Sequence, residues 1–213
     1  MAALADTIEV ELLNQLYQGK LPSARTELFL ALYTGAPSDS GGGTEVSGNG
    51  YARAQFNTMQ ASGNWNATNE RITITGHGYK DQSGPVHLTT SGTLPAGLSA
   101  ATDYWIKVID ANTIELTTTK GGATAGFTDA GSGNHYIHHI QTASGAGGAT
   151  DNRGTIDFPQ ASGGNWGTIT HVGIFSAKTG GTLIAHGALT ASKVVNDGDL
   201  FYIPVADLDL TMA

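Results

Sequence analysis

The chain has 213 residues, 30 of them Gly and none Cys, with 18 Asp and Glu against 10 Lys and Arg, a formal charge of −8 and only 13% charged residues. The missing thiols exclude a disulfide framework, a thiolate metal site and a Cys nucleophile, and an acidic chain with singly scattered cations is a poor match for phosphate, so no nucleic-acid partner is expected. A hydrophobic fraction of 39% separates it from disordered chains, and its 30 Gly, 13 Ser and 27 Thr suit a mainly β fold of short strands joined by turns.

The first element is a helix. Asp6 stands at a capping position with Glu9 three residues on, and Ile8, Leu12, Leu13, Leu16 and Tyr17 recur at helical intervals. This predicts a helix over about 7–18 that Gly19 ends before Pro22. It is read either as a lid over a sheet or as an arm to a neighbouring subunit, with Leu12, Leu16 and Tyr17 as interface candidates. The stretch before it lacks the basic region of a signal peptide, and no run approaches the roughly 18 apolar residues of a membrane span. A soluble protein made in a cytoplasm is expected.

From Glu27 the period becomes two. Leu28, Leu30 and Leu32 alternate with Phe29, Ala31 and Tyr33, apolar on both faces, which predicts a central strand buried between layers. Thr34 to Gly50 has the turn residues of a long surface loop, and Tyr51 to Phe56 is the next strand candidate. Residues 67–142 read as a separate unit of five short strands, at Arg71–Thr75, Val86–Thr90, Tyr104–Ile109, Thr113–Thr118 and Asn134–Ile140, spaced as in a small barrel or sandwich. Past the Gly/Ala/Ser stretch Ala143–Thr150, strands are expected at Gly154–Phe158, Trp166–Phe175, Thr182–Leu189 and Leu200–Val205. The alternation continues through Leu208, Leu210 and Met212, which are further interface candidates. Asn196-Asp-Gly-Asp199 reads as a hairpin turn.

Chemistry is sparse. No Gly-x-Ser-x-Gly nucleophile elbow is present, and Glu115, Asp157, Asp199, Asp207 and Asp209 form no arrangement that the sequence can pair for glycoside cleavage. No enzymatic activity and no cofactor are expected. His135, His138 and His139 are weak metal candidates, with His135 and His139 on one face of a predicted strand. Of the aromatics, Trp105 and Trp166 lie in apolar runs and read as core. Trp65, Tyr79 and Tyr104 are candidates for a host-facing shelf that stacks on sugars, although Trp65 is read first as packing between two domains.

Two long stretches resemble a known family. Leu30-Ala-Leu-Tyr-Thr-Gly-Ala-Pro37 with Gly43-Thr-Glu-Val-Ser-Gly-Asn-Gly-Tyr-Ala-Arg53, and Asn165-Trp-Gly-Thr-Ile-Thr-His-Val-Gly-Ile-Phe175 with Ala185-His-Gly-Ala-Leu-Thr190, resemble structural proteins of tailed bacteriophages, often labelled tail-fibre or hypothetical virion proteins. Between them, Gly76-His-Gly-Tyr79, Thr93–Leu98, Tyr104–Lys107 and Thr128–His135 resemble a small β module found in many phage virion proteins. The resemblance implies an outer jelly-roll-like β-sandwich formed by residues 1–66 and 143–213, with the module 67–142 inserted in one of its loops. Small polar residues flank the insertion, as such junctions require. It also implies a virion structural protein. A capsid decoration (cement) protein on the outer capsid surface is the leading expectation, made in the host cytoplasm and bound, as a homotrimer, to the major capsid protein. The alternative is a tail-fibre or receptor-binding component that contacts tail proteins and a host surface receptor. No membrane contact is expected.

Overall fold

The computed structural model describes residues 3–18, 27–139 and 149–211. A two-residue strand, β1 (Ala3–Leu4), leads into helix α1 (Asp6–Gln18). The strands β2 (Leu28–Gly35), β3 (Thr44–Glu45), β4 (Ala54–Ala61), β5 (Trp65–Asn66) and β6 (Arg71–Thr73) follow, then β7 (Ser83–Thr90), β8 (Tyr104–Asp110), β9 (Thr113–Thr117) and β10 (Asn134–His138). The last segment supplies β11 (Ala149–Thr150), β12 (Ile156–Asp157), β13 (Gly167–Phe175), β14 (Leu183–Val195), β15 (Tyr202–Ile203) and β16 (Leu210–Thr211).

Twelve strands make one antiparallel sheet in the order β1-β14-β13-β2-β4-β10-β7-β8-β9-β6-β5, with β3 beside β2. Two short ribbons, β11–β16 and β12–β15, stand apart from it. The fold is mainly β, with one short helix near the N-terminal end, as the composition and periodicity predict. The strand β2 shows why its sequence is apolar at successive positions. Leu30 and Leu32 enter a large core with Phe56, Trp166 and Ile169, and Ala31 and Tyr33 enter a smaller cluster with Ala5, Phe175 and Leu183 on the other side. Ile156, Phe158, Phe201, Ile203 and Leu208, from the ribbons and their flanks, close the large core, which makes the sandwich's second layer.

A second core lies farther along the same sheet, built from Ile72, Leu88, Tyr104, Ile106, Ile114 and Ile137 among others. The two regions share strands. All five residues of β10 pair with β4, from Asn134↔Ala61 to His138↔Asn57, and β10 also pairs with the second half of β7, whose first half pairs with β8.

Several boundaries move. The helix begins at Asp6 because the carbonyl of Ala5 accepts the N–H groups of Ile8 and Glu9, at 2.8 and 3.2 Å, so Ala5 takes the capping position expected of Asp6. Gly19 and Pro22 lie outside the described residues. The strand expected at Tyr51 starts at Ala54; the Tyr51 N–H is taken by a turn, donating to the carbonyl of Gly48 at 2.9 Å. The turn Asn196–Asp199 forms, with Asp199 N–H on the carbonyl of Asn196 at 3.0 Å, but it is no hairpin: β14 pairs with β13 and β15 with β12.

Candidate functional site

Among the described residues, the exposed large hydrophobics are Val10, Leu13, Leu16 and Tyr17 on α1, and Val194, Leu200, Tyr202 and Val205 at the C-terminal end. No residue of α1 is buried; Leu16 is 72% and Tyr17 77% exposed, while Ile8 and Leu12 are half-buried. The exposed four fall at spacings of three and four, which places them on one helical face. The carboxylates Asp6 and Glu9 lie in the first turn, and residues 12–18 carry no charge.

Of the second group, Leu200 and Tyr202, but not Val194 and Val205, line a groove of about 560 Å³ between β14 and the segment 200–209. Its origin is a break in register. Ile169 of β13 faces Lys193 and His171 faces Ala188, so only Thr170 stands against the four residues Leu189 to Ser192, and the ladder is interrupted there. Phe201 and Ile203 point into the large core, which leaves their neighbours Leu200 and Tyr202 on the outer side. That alternation is visible in the sequence, whereas the register break that opens the groove is not. Lys193, Asp207 and Asp209 are its charged lining.

The interface candidates therefore divide. Leu16 and Tyr17 are exposed, joined by Val10 and Leu13. Leu208 and Leu210 are not free for contact: Leu208 is buried in the large core and Leu210 packs against it. Asn152, fully buried, fixes this end by accepting the Leu208 N–H at 2.8 Å and donating to the carbonyls of Gly154 and Pro204. Met212 lies outside the described residues.

The three host-facing candidates are interior residues, which corrects that expectation. Trp65, Tyr79 and Tyr104 are 2%, 8% and 2% exposed and belong to the second core. Trp65 meets Phe127 and His135 edge-on at 5.8 and 5.0 Å, so it packs within that core rather than between domains. Burial pushes the Tyr79 hydroxyl well up, and this hydroxyl is bonded to Thr58 Oγ1 at 2.5 Å. Trp166 is core as expected, with Nε1 on the carbonyl of Asn49 at 2.9 Å, whereas Trp105 is only half-buried.

His135 and His139 do share one face, but that face points inward. Both ring nitrogens of His135 are engaged, Nδ1 with Thr90 Oγ1 and Nε2 with the carbonyl of Ala130, each at 2.9 Å. His139 directs Nδ1 at the carbonyl of Phe56 at 3.3 Å, and burial lowers its pKa to about 4. No group of three His or carboxylate side chains among the described residues could hold a metal ion.

The remaining polar clusters are structural joints. Burial raises the Glu115 carboxyl, but hydrogen bonds from Lys107, Thr124 and Arg71 outweigh this and hold it below its usual range. Asp103, before β8, accepts from Arg153 at 3.0 Å and lies 2.6 Å from His87 Nε2.

The stretches that carry the phage resemblance also meet in space. The side chain of Asn49 donates to the carbonyl of Asn165 at 2.8 Å, and Arg53 donates to the carbonyls of Ala177 and Gly180 at 3.0 and 2.7 Å. Gly43 sits at φ +76°, and a Cβ there would lie 2.7 Å from the nitrogen of Pro37, so only Gly fits this turn. Those motif residues hold loops to the sheet.

A family model described as Podophage GP4 fiber I protein gp80 matches residues 3–95 and 98–211, across both outer stretches and the block between them. No curated protein matches the chain.

Proposed function

The chain belongs to the family of the podophage GP4 fiber I protein gp80, and from that premise we propose that it is a non-catalytic building block of a phage virion fibre, acting through contact between folded surfaces. The carrying observation is the set of exposed large apolar side chains on α1 (Val10, Leu13, Leu16 and Tyr17), with Leu200 and Tyr202 exposed along the groove. Patches of that kind mark contact surfaces. The candidate polar groups Glu115, Asp103 and His135 are each hydrogen-bonded by their own neighbours, which supports a role without turnover. Its partners are then other virion proteins and further copies of itself, with a tail component favoured over the major capsid protein. We propose further that the block 67–142, with a core of its own, is an elaboration inserted into the outer sandwich.

The capsid-decoration reading shares the coarser role of virion structural protein, but the family's printed description favours a fibre. Immunogold labelling of intact virions tests the choice. Gold confined to tail-associated projections is expected, and gold spread evenly over the capsid would overturn the fibre reading.

A further inference from the structure

We propose that His139 and the segment Arg153–Gly154 form an acid-operated clasp at the seam between the two cores: when His139 takes a proton, Arg153 and Gly154 come off the end of β10 and the seam opens. The inference concerns the fold alone and does not depend on where the protein sits in the virion.

The clasp is built from both regions. His139 follows β10 directly and is buried. Its backbone N–H donates to the carbonyl of Phe56, a residue of the large core, at 3.0 Å, while its ring lies 6.0 Å from that of Tyr79 in the second core. The returning segment closes over it. The carbonyl of His139 accepts the Arg153 N–H, and a Cβ on Gly154 would lie 2.8 Å from His139 Cδ2 and closer still to the carbonyl oxygen of Pro85 in β7. The bare backbone of Gly154 is therefore laid against the ring edge that carries Nε2. Arg153 also forks onto Asp103, with Nε at 3.0 Å and Nη2 at 3.3 Å. Asn152 ties the same segment to Leu208 and Pro204, so it stays with the outer sandwich when it lets go of β10.

The bonding of His139 decides which nitrogen takes the proton. Nδ1 faces the carbonyl of Phe56 at 3.3 Å, and a carbonyl only accepts, so Nδ1 carries the hydrogen and Nε2 the lone pair. Nε2 is buried and has no hydrogen-bond partner. A proton there creates a buried cation whose new N–H has no acceptor, and lifting Gly154 away lets water supply one. The charged and titratable groups nearby offer no relief. His138 on the same strand adds like charge. The Tyr79 hydroxyl, on which the charge of Glu27 bears, is taken by Thr58, and His77 is stacked on Tyr79 with its own Nε2 at the carbonyl of Asp110. Asp103 is shared between His87 and Arg153, and Asp157 faces Lys80 at 3.9 Å.

Hydrogen exchange on the full chain between pH 7 and pH 4.5, with each rate taken relative to the intrinsic rate at that pH, tests the clasp. The open form binds the proton at about 6.5 and the closed form only near 4. The protection of the Arg153 amide should therefore fall about tenfold for each pH unit below 6.5. The slowest amides of β2 and β8, which wait for global unfolding, should stay about tenfold or more better protected than Arg153 throughout. His139→Gln should remove the slope at Arg153. Arg153→Gln keeps the imidazole and loses the fork on Asp103, so it should lower the protection of residue 153 at every pH and keep the slope; it decides the matter if His139→Gln does not fold. A flat profile at residue 153 in the parent or in Arg153→Gln would overturn the proposal, as would a slope that survives in His139→Gln. Protection at Arg153 equal to that of β2 and β8 would also overturn it, because the segment would then let go only when the whole fold does.

Discussion

Arg53 and Glu45 form a two-bond fork, with Arg53 Nε 2.8 Å from Oε1 and Nη2 2.7 Å from Oε2. The guanidinium lies 3.6 Å from the centroid of the Phe175 ring, and its Nη1 reaches the carbonyls of Ala177 and Gly180. Glu45 also accepts from the Tyr51 hydroxyl at 3.1 Å, which in turn accepts the N–H of Leu32 at 3.0 Å. One buried cation therefore ties the 43–53 loop to the turn that joins β13 and β14. Burial works against its charge, but hydrogen bonding and the charge of Glu45 outweigh that and raise its pKa.

Arg53→Ala should destabilise the fold by about 3–5 kcal/mol, because it leaves a partly buried carboxylate and two carbonyls without their donor. Arg53→Lys should recover only part of this, since an ammonium cannot reproduce the planar fork. Urea unfolding of the three proteins measures both. Equal stability of Arg53→Lys and the parent would show that charge alone matters.

His139 should make stability depend on pH. Its folded pKa of about 4 lies below the roughly 6.5 of an unfolded histidine. Between those values the unfolded chain binds the extra proton, so stability is full above pH 6.5 and falls as pH drops toward 4, by roughly 3 kcal/mol at most. His139→Gln should flatten the stability profile in that window. A profile that keeps its slope in the variant would assign the effect to other groups.

Asp103 acts on a lower window. Burial raises its carboxyl, but hydrogen bonds from Arg153 and His87 hold it below the ordinary aspartate range. The stability it contributes is present above the unfolded pKa of about 3.9 and is lost as pH falls through the folded value. The site is about one-third exposed, so Asp103→Asn should cost only about 1 kcal/mol at neutral pH. Thermal melts at pH 7 and pH 3 should show a smaller difference between variant and parent at the lower pH.

Asn152 is a sharper test of how the C-terminal end is fixed. Asn152→Ala orphans the Leu208 N–H and two carbonyls, at about 1–3 kcal/mol for each group left buried and unpaired. Hydrogen exchange should show faster exchange at Leu208 than in the parent, while Ile137 in the second core keeps its protection. Unchanged exchange at Leu208 would show that the ribbons hold without this side chain.

The strand β2 was legible because burial on both faces writes an unbroken apolar run, and α1 because its spacing is local. The host-facing aromatics were misread for a related reason. Trp65 and Tyr79 sit among Gly, Asn and His, a neighbourhood typical of loops, yet distant partners bury them: Phe127 and His135 for Trp65, Thr58 for Tyr79. Leu208 carries the same pattern whether it faces a neighbour or its own core, and only the Asn152 contact distinguishes the two. The groove depends on a register break between β13 and β14, a property of two strands at once. The domain boundary drawn at 66/67 likewise crosses a continuous sheet, since β10 completes the pairing of β4.

A structural role in a fibre is tested most directly by copy number. Quantitative staining or mass spectrometry of purified virions should give a few copies per particle, a small fraction of the major capsid protein. A ratio near one to one with the major capsid protein would contradict a fibre and place the chain on the capsid lattice.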